Sequence, residues 1–445
     1  MMMSNFIVNS IELTGVGTRI SYEYEVSDDI KKYFKTPFFI EYDCSVAEVP
    51  ESILIIPLLA NILPISWLAG FDITINTLDR QFYQAALDIK AVFIKEFPEI
   101  LSHSSSLMVN QLVDNTAAYH RDKGKKDALL FSGGVDAYAS YFNHQQDDVD
   151  LILIQGADIP LNDSKQWATA KKNINNEVIL QQNHKHYIAM NCRDFYTYRV
   201  KELVYGGGWW GKVQHGLTLT CAVAPLAYKK GYHSLYIAAT DTIGFQVFWG
   251  SMPDIDNNVR WAGTQVVHDG YHMHRLDKVE SIIQNAERLE KNVNLRVCYS
   301  ELNNGLNCNK CEKCYRTIFA LTLFGRNPNH FGFAVDGNVY THIEALWAKG
   351  FANEGVRYDW APMLSLLSAD NLYQFAGHNH NTERHSAEQH NTERHSAERL
   401  KDSLKVALDA TITQTDSKVD KGKRAIIATF PKTFKSYLKI RELLR

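Results

Sequence analysis

The 445-residue sequence carries almost no net charge: 47 Lys and Arg against 50 Asp and Glu leave −3. That balance excludes a surface built as a whole to neutralise nucleic acid. The N-terminus, Met-Met-Met-Ser-Asn, lacks a basic segment followed by an apolar run, so no secretory signal is expected. Long apolar runs are also scarce. One stretch, 52–71, is free of charge and long enough to span a bilayer. Pro57, Pro64 and Asn61 interrupt it, and interior prolines break an isolated spanning helix. It is expected as a buried segment of a globular domain, with no membrane role. Cysteines number seven, an odd total, and four of them crowd between 298 and 314, which is not the pattern of a secreted disulfide framework. That pattern predicts a metal site in a reducing cytoplasm.

What is present has an order. Residues 1–120 begin with two strand-like runs, 6–13 and 18–26, joined by Thr-Gly-Val-Gly. The apolar stretch follows, then a helical pattern over 77–97. From about 127 the pattern alternates, with strands expected at 128–131, 151–155, 186–190 and 234–238. Helices are expected at 137–145, 164–175 and 216–230. Such alternation predicts an α/β fold with a doubly wound parallel sheet. In these sheets ligands sit at the carboxyl ends of strands. Asp136, Asp158 and Asp241 all lie just past predicted strand ends. Beyond the cysteines the chain reads as mainly helical, so three regions are expected: an α+β extension (1–120), the α/β domain (121–320) and a helical region (321–445).

The last region holds a tandem "HNTERHSAE", starting at His380 and His390. A period of ten matches neither helix nor strand. Histidines five apart (380, 385, 390, 395) leave one helical face, so a solvated insertion is expected rather than a metal site. Residues 421–445 contain eight Lys or Arg and one Glu, read as a solvated basic helix, with RNA, membrane or an acidic partner as alternatives.

Ser132-Gly133-Gly134 sits between a predicted strand and a predicted helix. Glycine lets the backbone approach a ligand, and backbone N–H groups at a helix start form an anion site. No Lys follows the glycines, so this is not a Gly-Lys-Ser/Thr loop, and G-x-G-x-x-G spacing is absent. Ser-Gly-Gly-x-Asp resembles the pyrophosphate loop (PP-loop) of ATP pyrophosphatases, with Ala137 standing where that superfamily has a hydroxyl residue.

Cys298 followed by Cys308-x2-Cys311-x2-Cys314 supplies four thiolates for a closed, structural Zn²⁺ site. The ferredoxin spacing fails, since Tyr315-Arg316-Thr317 follows where a fourth cysteine and a proline belong.

Together, the loop and the cysteine pattern resemble the 7-cyano-7-deazaguanine synthase (QueC) family over residues 127–320. "ATDTIGFQVFWGSMPD" (239–254) and "LDKVESI" (276–282) resemble that family's Thr-Asp, Pro-Asp and Lys-x-Glu segments. The resemblance implies ATP and Mg²⁺ bound by Ser132, Gly133, Gly134, Val135, Asp136 and Asp158. It implies adenylation of the carboxylate of 7-carboxy-7-deazaguanine and attack by an amine, with Lys278 a phosphate contact and Asp241 a metal or phosphate ligand. Asp254 is the expected reader of the deazaguanine edge, since a carboxylate accepts from both N1–H and the 2-amino group. Phe245 falls in the same substrate segment. "YGGGWWGKVQHG" (205–216) has the composition of an active-site loop; Trp209 is expected either to stack on a base or to pack under the sheet. His215 is a candidate proton shuttle or phosphate contact. Arg260 and Arg275 are candidate anion holders, while His268, His272 and His274 are expected as polar loop contacts.

The flanking regions have no counterpart in the compact metabolic enzyme, and long family members resemble deazaguanine enzymes of bacterial antiviral operons. The expected acceptor is therefore a partner protein's amine, encoded in the same operon. Ammonia, giving an amide or nitrile, is the alternative acceptor. Sulfur transfer to tRNA through Cys192 and an inactive zinc-containing scaffold are the rival classes.

Overall fold

The computed structural model describes residues 4–98, 100, 104–116, 126–145, 148–204, 208–298, 305–375 and 386–410. The N-terminal region supplies five strands: β1 (Asn5–Thr14), β2 (Arg19–Val26), β3 (Phe39–Tyr42), β4 (Asp72–Asp79) and β5 (Leu107–Val113). Around the Gly-Val-Gly turn, β1 and β2 pair antiparallel. The next six are β6 (Lys126–Leu130), β7 (Asp150–Gln155), β8 (Lys185–Met190), β9 (Tyr232–Ala238), β10 (Arg260–Trp261) and β11 (Thr264–Asp269). β6, β7, β8 and β9 lie where the alternating pattern places strands.

All eleven form one sheet in the order β10-β11-β9-β6-β7-β8-β3-β2-β1-β4-β5. The run β11-β9-β6-β7-β8 is parallel throughout. The junction between N-terminal and later strands is the antiparallel pair β3–β8, with Ile40 opposite Met190 and Tyr42 opposite Ile188. Successive residues of β7 enter different cores: Ile152 and Ile154 join one, Leu151 and Leu153 the other. Both faces of the sheet are therefore covered, which is why these strands read as continuous apolar runs.

The apolar stretch 52–71 is buried, as expected, in the helices Glu51–Leu54 and Ile56–Ala69. It is not broken at proline: Pro57 occupies the first turn and Pro64 lies inside the second helix. A proline there costs about 3 kcal/mol. Burial of every residue from Ile56 to Leu68 opposes that cost. Asn61 Nδ2 donates to the Pro57 carbonyl at 2.8 Å, and Gln214 Nε2 donates to Asn61 Oδ1 at 2.6 Å. Among the described residues, no helix is long and apolar enough to cross a membrane.

Three helix boundaries differ from the sequence reading. The helix expected over 77–97 is Arg80–Glu96, because 77–79 complete β4. Asp79 caps it, accepting from Phe82 N–H at 3.0 Å. The run 216–230 is two helices, His215–Cys221 and Ala224–Lys230, entered through a π-helical turn at Trp210–Gln214. The third is the repeat, whose end lies in the helix Ser386–Asp409, despite its period of ten. Ala397, Leu400, Leu404 and Ala407 give that helix a buried stripe at helical spacing, so residues after the repeat anchor it. Beyond Asp269 the described residues contain helices and no strand. The start of the repeat and the basic stretch 421–445 lie outside the described residues.

Candidate functional site

β6 ends at Leu130, and the chain turns through Ser132-Gly133-Gly134 into the helix Val135–Asn143. Gly133 has φ +78°, the left-handed conformation that glycine tolerates and L side chains resist. A distant segment fixes the turn. Arg296 N–H donates to the Gly133 carbonyl at 2.7 Å, and its Nη1 donates to the Ser132 carbonyl at 3.3 Å.

Asp136 falls in the first turn of the helix, where a carboxylate suits the N-terminal partial charge. Two cations reach it from the helix Arg275–Arg288, whose N-terminus His274 caps in a reciprocal box with Asp277. Lys278 Nζ donates to Asp136 Oδ1 at 3.1 Å and to the Ala239 carbonyl at 2.5 Å. Arg275 Nη1 donates to Asp136 Oδ2 at 3.2 Å. Burial alone would raise the Asp136 pKa, but Lys278 and Arg275 outweigh it and hold it at about 2. Asp241, past the end of β9, is pushed up by burial and by the charge of Asp136. Lys313 is pulled down to about 8 by burial and by Arg275. Arg316, also buried, feels Arg275 and Asp136 as well. A cleft beside the turn is lined by Ser132, Asp136, Asp158, His215, Thr240 and Arg296. With Arg275, Lys278, Arg296, Lys313 and Arg316 gathered near the half-buried Asp136, the arrangement suits a multiply charged anion.

Several sequence-derived residues meet here: Ser132, Gly133, Gly134, Val135, Asp136, Lys278, Arg275 and, at the margin, Asp241, Asp158 and His215. Burial lowers the His215 pKa, and its Nδ1 is buried without a hydrogen-bond partner. Others go elsewhere. Trp209 is 1% exposed in the core and donates Nε1–H to Gln214 at 2.6 Å, so it does not stack on a ligand. Arg260 is not an anion holder at this turn: its Nη2 meets Asp88 Oδ2 at 2.6 Å on the helix Arg80–Glu96. Phe245 is half-buried and stacks on Tyr358 with ring centroids 5.0 Å apart. Asp254 is exposed on the short helix Pro253–Asp256; the buried acid of that helix is Asp256. His268 lies within β11, not in a loop, with Nδ1 2.8 Å from Asp256 Oδ2.

Sequence reasoning missed Arg296, Lys313, Arg316 and the Asp256–His268 pair. Lys313 and Arg316 had one available signal: the cysteine motif contains Lys313, and the helix it opens contains Arg316.

The cysteines converge as their spacing predicts. The Sγ atoms of Cys298, Cys308, Cys311 and Cys314 all lie within 4.8 Å of one another. Cys311–Cys314 is 3.5 Å, Cys308–Cys314 3.8 Å and Cys298–Cys311 3.9 Å. A tetrahedron with metal–sulfur bonds of about 2.3 Å has edges of about 3.8 Å, so these sulfurs fit Zn²⁺ with little movement. An ion held by all four sulfurs would keep no open position. The cluster positions the helix Glu312–Leu323, and through it Lys313 and Arg316. Arg316 in turn pairs with Asp359, and Trp360 Nε1–H donates to Glu312 at 2.9 Å.

Compared with protein-family models, curated proteins and solved structures, the chain matches none.

Proposed function

We propose that this protein is an ATP-dependent, AMP- and pyrophosphate-forming carbon–nitrogen ligase of the pyrophosphate-loop type, with the doubly wound fold of that class. Its substrate is 7-carboxy-7-deazaguanine, and its acceptor is an amine on a partner protein in bacterial antiphage defence. The single observation that carries the reading is the Ser132-Gly133-Gly134 turn, left-handed at Gly133, with Lys278, Arg275 and Arg296 arranged around it. The substrate's identity rests on the motif resemblance alone.

The chemistry follows from the charges. A carboxylate is a poor electrophile until its oxygen attacks the α-phosphorus of ATP and pyrophosphate departs. The glycine turn and the cations hold the leaving pyrophosphate. Asp136 and Asp241, two half-buried carboxylates whose charges disfavour one another's ionisation, are the hard oxygen donors that would hold Mg²⁺. That ion would offset phosphate charge when bound. The amine then attacks the acyl adenylate, and AMP leaves.

Sulfur transfer through Cys192 is disfavoured: its thiol is fully buried and pushed up to about 12 by burial. Ammonia remains the alternative acceptor.

The deciding experiment is AMP release from ATP–Mg²⁺ by the purified protein, with and without 7-carboxy-7-deazaguanine. Deazaguanine-dependent AMP is expected, followed by a mass increase on a neighbouring gene product. Nucleotide binding without AMP, even with that partner present, would replace this reading with the scaffold.

A further inference from the structure

His215 stands on the wall of the cleft that also holds Ser132, Asp136 and Asp158. Its ring meets Trp210 edge-on at 5.4 Å. Nδ1 is buried with no hydrogen-bond partner among the described residues, so Nε2 is the nitrogen left for a ligand. The charged groups that reach the imidazole are Asp158 after β7, Asp256 from the helix Pro253–Asp256, Arg193 after β8 and Lys313 from the helix Glu312–Leu323. Asp256 is fully buried, and its Oδ1 also lacks a partner among the described residues. A Cβ on Gly216, the residue after His215, would stand 2.3 Å from that oxygen. Two unmade bonds, one on a buried acid and one on an imidazole, therefore lie beside a single residue. Such bonds are costly for stability and are tolerated where a group is held ready for chemistry.

An uncommon piece of backbone brings the ring to the cleft. The turn Trp210–Gln214, which His215 follows directly, is π-helical, a form concentrated at functional sites. The N-terminal region holds that turn. Gln214, fully buried, accepts from Trp209 Nε1–H at 2.6 Å and donates from Nε2 to Asn61 Oδ1 at 2.6 Å. Thr218 Oγ1, on the helix that His215 opens, donates to the same Asn61 oxygen at 3.2 Å. From another side, Gly250 N–H donates to the Gly211 carbonyl at 2.7 Å, and Gly216 N–H donates to the Gly250 carbonyl at 2.8 Å. His215 thus lies between two residues, Gln214 and Thr218, that Asn61 ties to the helix Ile56–Ala69.

We infer that His215 is the catalytic base of the amine-transfer step and that Asn61 of the N-terminal region positions it through Gln214; this rests on the adenylation reading above. The amine nitrogen attacks the carbonyl carbon of the acyl adenylate, forming the C–N bond. One N–H proton passes to His215 Nε2. The C–O bond to AMP breaks, and AMP takes the electron pair. The imidazolium, stabilised by Asp158 and Asp256, then returns its proton to solvent. Burial lowers the pKa of the imidazole, which keeps it unprotonated and able to accept at neutral pH. Gln214 and Asn61 act through His215 and are positioning residues.

The test uses the full chain, its His215→Ala and Gln214→Met variants, and two assays with ATP–Mg²⁺ and 7-carboxy-7-deazaguanine. The first is exchange of labelled pyrophosphate into ATP. The second is amide formation from ammonia. His215→Ala is expected to keep exchange within about threefold, to slow amide formation roughly 100-fold, and to regain roughly tenfold when imidazole is added to the buffer. Should that variant fail to fold, His215→Gln carries the same two expectations without the rescue. Gln214→Met keeps the imidazole and the side-chain volume; it should keep exchange, slow amide formation roughly tenfold and not respond to added imidazole. Unchanged amide formation in the His215 variant overturns the base, and so does a loss of exchange as large as the loss of transfer. Unchanged amide formation in Gln214→Met overturns the positioning. Wild-type protein that exchanges but forms no amide from ammonia overturns the placement of a base beside the acyl group. Wild-type protein with no deazaguanine-dependent exchange removes the adenylation reading itself, and this inference with it.

Discussion

Asp136 Oδ1 accepts from Lys278 Nζ at 3.1 Å across 142 residues of chain. This contact ties the helix after the glycine turn to the helix Arg275–Arg288, and Arg275 doubles it. Asp136→Asn would leave Lys278, 2% exposed, beside a neutral amide. A loss of about 3 kcal/mol in unfolding free energy is expected, together with loss of AMP formation. Because the folded pKa is about 2, below the ordinary 3.8, this contribution is present above pH 3.8 and fades as pH falls towards 2. Denaturant melts of both proteins at pH 7 and pH 3 would check it; equal midpoints at pH 7 would refute it.

Two glycines should respond differently to alanine. At Gly133 a Cβ has its nearest neighbour 3.6 Å away, so Gly133→Ala meets only the left-handed backbone, roughly 1–2 kcal/mol. At Gly156 the Cβ would stand 1.7 Å from the Met190 carbonyl oxygen, which cannot move without disturbing β8. Gly156→Ala should cost several-fold more and reduce soluble yield, as thermal unfolding of the pair would show.

Zinc analysis should return one ion per chain with sulfur at about 2.3 Å by X-ray absorption. Cys311→Ser should lose the ion and destabilise the protein by several kcal/mol, since metal binding contributes directly to folding. A protein purified metal-free yet equally stable would contradict the site.

At the other end of the sheet, the starts of four strands share one ion network. His186 lies 3.2 Å from Asp43 and 3.4 Å from Asp150, while Lys126 and the Tyr232 hydroxyl reach Asp150 at 2.9 and 2.6 Å. Burial would lower the His186 pKa, but Asp150 and Asp43 raise it above 6.5. Its stabilisation is complete below 6.5 and is lost as pH rises through the higher folded value. Asp150, held at about 2 against burial, contributes above 3.8. Stability should therefore be greatest between roughly pH 4 and 6.5 and decline above it. His186→Asn should flatten that decline and cost about 2 kcal/mol at pH 6. Melting temperatures across pH 4–9 would test the slope.

Cys192 donates its thiol to the Gly156 carbonyl at 3.3 Å. Iodoacetamide should not label it in the native protein, and Cys192→Ala should leave AMP formation within twofold, at a stability cost of about 1 kcal/mol. Rapid labelling would reopen sulfur chemistry.

The parallel strands were legible because Leu151–Gln155 and its neighbours are apolar on both faces and sit between glycine, aspartate and proline signals. The four-cysteine cluster was legible because its spacing is local. Pairing of β3 with β8 was not, since four residues joining strands 150 positions apart leave no periodic signature. Composition marked 205–216 as unusual but could not tell which way an indole points, so Trp209 entered the core. Arg260 was chosen for its charge, which says nothing about Asp88, a partner far back in the chain. Lys278 was visible through its motif; Arg296 was not, because it reaches the turn from 164 residues away and both its bonds, one from the backbone N–H and one from Nη1, go to backbone carbonyls that carry no sequence signature.

Because the strands form one ladder, the N-terminal region also shields an edge. A shortened chain beginning near residue 121 would end its sheet at β8, exposing backbone donors and acceptors that β3 now occupies. Ile188 and Met190, both fully buried, would lose the cover of Ile40 and Tyr42. Such an apolar, unpaired strand is a template for adding strands from other copies. Trimming the protein to the residues from 121 onward should therefore yield material that self-associates, and solubility should return when residues 1–116 are supplied as a separate chain.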